Sequence, residues 1–84
     1  MFRISKSKNK KYDVKVNGKW ISFGDKRYEH FEDKVLGSYS NLNHFDKKRR
    51  ANFRARVKGI KLKDGTPAYL NKNSPAYWSY HYLW

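Results

Sequence analysis

The chain has no cysteine, only two prolines and one methionine, and only seven acidic side chains in 84 residues. Without cysteine neither a disulfide framework nor a thiolate metal site can form, and the chain reads as one suited to a reducing, intracellular compartment. No apolar run approaches the roughly 18 residues of a membrane-spanning helix. The opening MFRISKSKNKK also lacks the apolar segment of a secretory signal. The three histidines, His30, His44 and His81, stand at no metal-binding spacing, so no metal and no cofactor is expected. A chain this short forms one domain at most and buries about 60–65% of its unfolded surface, which leaves little stability to spare.

Positive charge and aromatic rings are in excess. Twenty Lys and Arg against seven Asp and Glu leave a net charge of +13. Such a charge keeps a lone domain soluble, opposes its compaction and points to a polyanionic or acidic partner. The cations are clustered. Residues 1–11 carry Arg3, Lys6, Lys8, Lys10 and Lys11 without an acid, and residues 47–63 (KKRRANFRARVKGIKLK) carry nine without an acid. Asp25, Glu29, Glu32 and Asp33 fall within nine residues and are placed to offset some of that charge inside the fold.

Residues 1–10 read as a basic arm, disordered alone, ahead of a single small domain over 11–84. YDVKVNGKWISF then calls for a two-residue type I′ hairpin at Asn17-Gly18, pairing Val16 with Lys19, Val14 with Ile21 and Tyr12 with Phe23. That register puts Tyr12, Val14, Val16, Ile21 and Phe23 on one face, so turn and hydrophobic pattern agree. DKRYEHFEDK suggests a short helix with Tyr28, Phe31 and Val35 inward, and GSYSNLN a loop. A basic helix follows, with Asn43 as N-cap, Asp46 at N3 and Gly59 as the stop. Phe45, Phe53 and Val57 form its apolar stripe; Arg49 and Arg56 project into that stripe, while Lys47, Arg50 and Arg54 lie beyond it. Asp64-Gly65 makes a turn. Ser74-Pro75 is an N-cap and N1 pair opening a short terminal helix, with Trp78 stacked on Tyr82 and Tyr77 and Trp84 at the flanks. The fold expected is α+β, a β-hairpin packed against a basic helix with a short aromatic-rich C-terminal helix. The rings of SPAYWSYHYLW could complete its core, stack on bases or anchor a protein partner.

VNGK with FGDKRY, then LNHFDKKRRANFRAR, then SPAYWSYHYLW resemble an uncharacterised family of small basic proteins encoded by large nucleocytoplasmic DNA viruses. The likeness runs from about Tyr12 to Trp84. It implies a viral origin and carries no established activity. Many relatives have His after the Ala-Arg of the basic helix, where this chain has Val57, which removes a histidine catalyst or ligand at that position.

Little else suggests a reaction or a small-molecule substrate. Glu32 and Asp33 are adjacent and point different ways, and His44 with Asp46 fits capping as well as chemistry. Two non-enzymatic classes stand. In one, the protein is a minor structural piece of the virion, bridging larger capsid or virion subunits through Arg, Lys and aromatic contacts. In the other, it binds DNA or RNA without sequence preference by neutralising phosphates. The candidate contacts are the same in both: Arg3, Lys6, Lys8, Lys10, Lys11, Lys47, Lys48, Arg50, Arg54 and Lys58, with Tyr77, Trp78, Tyr82 and Trp84 as aromatic core or anchor. The expected location is the virion, by way of the host cytoplasm or nucleus, for which KKRRANFRAR could serve as an address.

Overall fold

In the computed structural model, which describes residues 1–84, Asn17 and Gly18 both have positive φ (50° and 81°). This is the geometry a type I′ turn demands. It joins β2 (Lys10–Val16) to β3 (Lys19–Asp25) in the expected register, Tyr12 opposite Phe23 and Val14 opposite Ile21. The outer face carries Asp13 opposite Ser22, whose hydroxyl donates to Asp13 Oδ1 at 2.6 Å, and Lys15 opposite Trp20.

The expected arm is not separate from the domain. Phe2–Ile4 forms β1, antiparallel to β2 with Phe2 opposite Val14, so β2 is the central strand of a three-stranded sheet. Phe2 sends its ring into the core, 5.2 Å from Tyr82 and 5.8 Å from Trp78 between centroids. Arg3, one residue on, falls on the outer face, where its Nε donates to Asp13 at 3.1 Å. The alternation Phe-Arg-Ile is a strand signal that the lysines after it obscure.

The segment after β3 does not form the expected short helix. Its N–H groups are committed elsewhere: Glu32 N–H donates to Leu83 O, Lys34 N–H to Tyr82 O, and His30 N–H to Leu42 O. The first two satisfy carbonyls left over at the end of the C-terminal helix. Of the three residues expected inward, Phe31 is buried, Val35 half-buried and Tyr28 65% exposed.

The basic helix α1 spans Lys47–Lys58 and stops at Gly59. Its N-cap is Asp46, not Asn43, with Asp46 Oδ1 accepting from Lys48 N–H and Arg49 N–H at 3.0 and 3.1 Å. Asn43 is unavailable because its Oδ1 already accepts from His30 Nε2 and Asp33 N–H. Phe45 therefore lies outside the helix, at φ 53° and 57% exposed, and the stripe reduces to Phe53 and Val57. The second helix, α2 (Pro75–Tyr82), is capped as expected by Ser74, and Trp78 stacks on Tyr82 with centroids 5.5 Å apart.

The core joins Tyr12, Val14 and Phe23 of the sheet to Trp78 of α2 and Leu83 just beyond it. The aromatic helix lies on β3, and α1 packs on α2 and on a 3-10 turn at Ala68–Leu70. Gly24, at φ 74°, allows this docking: a Cβ there would sit 2.8 Å from Leu83 Cδ1.

Candidate functional site

All but four of the lysines and arginines are exposed, the exceptions being Arg3, Lys11, Arg50 and Arg54. Each exception has an internal task. Arg3 pairs with Asp13 and lies over the Trp20 ring, 3.7 Å from its centroid. Arg50 and Arg54 donate through Nε to the main-chain oxygen of Trp84 at 2.8 and 3.3 Å. Their guanidinium groups cover the rings of Phe31 and Tyr80 at 4.6 and 4.7 Å. Of the expected contact residues, Lys6, Lys8, Lys10, Lys47, Lys48 and Lys58 are thus free on the surface, whereas Arg50 and Arg54 serve mainly to bind α1 to the body of the protein.

Lys11 departs furthest from expectation. Only 2% of it is exposed, and Nζ donates to Tyr28 O at 2.9 Å, its one acceptor. Burial holds its pKa down to about 8, against the opposing pull of Asp25 and Asp33. The strand alternation places Lys11 on the solvent side. The signal that could have revealed its burial is Gly24 across the hairpin, which leaves room for the stem to fold over; Lys11 Cδ lies 3.1 Å from where a Gly24 Cβ would be.

The four aromatics of the C-terminal segment belong to the domain's own packing. Trp78 is buried, with Nε1 donating to Lys72 O at 2.7 Å, and Tyr77 and Tyr82 pack around it. Trp84 stacks face to face on Phe53 of α1, centroids 4.2 Å apart and planes 9° from parallel, and the tilted ring of His44 lies 5.1 Å from it. Sequence reasoning missed the polar interior beneath them. The Tyr12 hydroxyl donates to Asp33 and accepts from Ser38 N–H. Burial would raise the Asp33 pKa, but Tyr12 and the N–H groups of Tyr39 and Val35 outweigh it and keep the carboxylate ionised. Asp33 therefore anchors a loop, and its hydrogen-bond partners are a phenol and main-chain N–H groups where Lys or Arg were expected. His30, fully buried, donates from Nε2 to Asn43 Oδ1 at 2.6 Å. Burial, then Lys11, lowers its pKa; burial, then Arg49, does the same at His44.

One open cleft, about 600 Å³ in volume, lies between α1, the Asp25–Glu29 loop and the N-terminal half of α2. Its α1 wall is a single helical face, Arg49, Asn52, Phe53, Arg56 and Val57, with Ile60 just beyond the Gly59 stop. Lys10, Lys11, Leu83 and Trp84 complete the side nearest the sheet. Arg49 carries an exposed ion pair to Glu29 at 3.1 Å, and Arg56 has no acidic partner. No three His, Asp or Glu side chains converge as metal ligands would.

Residues 1–34 match the family model described as a family of unknown function (DUF5754). The match covers the whole sheet and neither helix. No curated protein and no solved structure matches the chain. No helix is long and apolar enough to cross a membrane.

Proposed function

We propose that this protein is a non-enzymatic structural component that docks its exposed cations on acidic faces of larger subunits. On the viral resemblance of its motifs, those subunits would be capsid or other shell proteins of a large DNA virus, and the protein a minor part of the virion. The observation that carries this reading is the separation of the two excess residue types. The C-terminal rings are used up inside the domain, while the cations stand outside, and of the exposed ones only Arg27 and Arg49 have an acidic partner. Surface pairs of this kind are worth about 0–1 kcal/mol, so even those two can exchange partners. A dense, mostly unpaired positive surface speeds encounter with an acidic partner and selects against basic ones.

A second reading, non-specific nucleic-acid binding for genome packaging, has one observation in its favour. Trp20 is exposed on the outer sheet face, with Lys15 Nζ 5.7 Å from its ring centroid, and so offers a stacking element beside a cation. Arg3 already covers that ring, which weakens the case.

The discriminating experiment measures affinity for labelled duplex and single-stranded DNA from about 50 to about 300 mM salt. Docking on protein predicts weak DNA binding, gone by ~150 mM. Tight binding near physiological salt, with a log–log slope near about −5 for six phosphate contacts, would overturn it in favour of packaging.

A further inference from the structure

We propose that the cleft between α1 and the Asp25–Glu29 loop seats one large apolar side chain of an acidic partner segment, with flanking carboxylates on Arg49, Arg56 and Lys10. This rests on the docking reading above and names where on the surface the docking occurs.

Three features of the cleft point to that occupant. Its volume, about 600 Å³, lies within the range of sites that hold ligands. Its lining is amphipathic in a specific way. Ile60, 46% exposed just beyond the end of α1, and the half-buried Phe53 offer an apolar bed over the buried Val57 and Leu83, beside a helix otherwise crowded with charge. The bed would gain from being covered. A phosphate backbone has nothing to place there, whereas a leucine or phenylalanine does.

The charge around the bed is unbalanced. Lys10, Lys11, Arg49 and Arg56 line the cleft against Asp25 and Glu29, and Asp25 is already held by a two-point bond from Arg27 at 3.0 and 2.8 Å. The remaining acid, Glu29, meets Arg49 in an exposed pair that an incoming carboxylate can displace. Lys11 adds a built element: a cation almost wholly withdrawn from water, with one main-chain oxygen as its only hydrogen-bond acceptor. An ammonium in that position is under-coordinated, and a nearby carboxylate would compensate it. Apolar anchor plus flanking acids is the pattern that satisfies both halves of the lining, as in other groove-docked segments.

The test uses the full chain and two fluorescent peptides in anisotropy titrations at low salt. One has glutamates flanking a central leucine; the other has alanine in place of the leucine. The leucine peptide should bind at least about tenfold more tightly, equivalent to ~1.4 kcal/mol. Arg49→Glu with Arg56→Glu should abolish binding of both peptides. Lys6→Glu with Lys8→Glu, an equal charge change outside the cleft, should keep the leucine preference. Ile60→Ser, an exposed site that changes no charge, should erase the preference. The indole N–H resonance of Trp84 should shift on titration and that of Trp20 should not.

Equal affinity for the two peptides, or equal losses in the two charge-reversal pairs, would overturn the cleft as the site while leaving acidic docking intact. Failure of both peptides to bind at any salt would overturn both. A Trp84 shift with octanoate but with neither peptide would assign the cleft to a small carboxylic acid and overturn the proposal.

Discussion

The two helices are held in the protein by opposite means. Both are short, and neither presents one apolar and one polar side. In α2, four of the eight residues are Tyr or Trp, and burial does the work: Trp78 and Tyr80 are buried, and the loop through Glu32 and Lys34 supplies N–H donors to its last carbonyls. In α1, seven of twelve residues are Lys or Arg, the first turn has no acid, and only Val57 is buried. Like charges three and four residues apart repel, and cations at the N-terminus oppose the helix dipole. What holds α1 is its Asp46 cap, the Phe53–Trp84 stack, and Arg50 and Arg54 laid over rings with their Nε groups on one main-chain oxygen. Guanidinium groups on aromatic faces can thus replace an apolar stripe, each contact worth about 0.5–1 kcal/mol at a partly exposed site. That leaves the adjacent exposed positions Arg49, Asn52 and Arg56 of α1 free for an external partner.

The sharpest way to break this contrast is Trp78→Ala. It should cost roughly 3–5 kcal/mol, enough to unfold a domain of this size. Urea titration followed by circular dichroism measures it, and a well-folded variant would show that α2 is not the burial helix. Next comes the site where α2 docks. Gly24→Val should cost about 2–4 kcal/mol, combining a positive φ with overlap against Leu83 and Lys11. Gly18→Val, also at positive φ but with nothing within 4 Å, should cost about 1–2 kcal/mol. Equal losses would mean that the contact with Leu83 exerts no steric constraint.

For α1, Arg50→Ala with Arg54→Ala should lower stability by about 2–3 kcal/mol, while Lys47→Ala with Lys48→Ala should stay within about 0.5 kcal/mol. Equal effects would mean that α1 is held by something other than its inward arginines.

The smallest effect is in the pH profile. His30 and His44 both have pKa values lowered from 6.5, so between the lowered values and 6.5 the unfolded chain binds more protons than the folded one. Stability therefore rises with pH across that window, is fully present above about 6.5, and is lost as pH falls below it. Lys11, near 8 when folded and 10.5 when unfolded, extends the rise into the alkaline range. The urea midpoint should climb from pH 5 to pH 7.5, and His30→Gln, which keeps an N–H for Asn43, should flatten the climb. An unchanged slope in that variant would assign the dependence to groups other than His30.

Several features decided within a few residues were legible in the sequence. Asn17-Gly18 selects its turn because only that backbone geometry suits two strands joined by two residues, and the register follows. Ser74-Pro75 opens α2, Trp78 meets Tyr82 one turn later, and Gly59 ends α1, all by local cap and helix geometry. The surplus of positive charge needed no structure at all. What the chain alone left undecided depends on partners distant in sequence. Asn43 read as the cap with Asp46 at N3, but His30 and Asp33 occupy Asn43, and Asp46 caps the helix instead. Phe2 joined the sheet because Trp78 and Tyr82 were there to receive it. Arg50 and Arg54 turned inward because Trp84, thirty or more residues away, placed an oxygen between them. Lys11 was buried because Gly24 left room for its stem and Tyr28 O, seventeen residues on, accepted from its ammonium group. Helix and turn chemistry acts along the chain, whereas burial and the pairing of polar groups are settled only when separate segments meet.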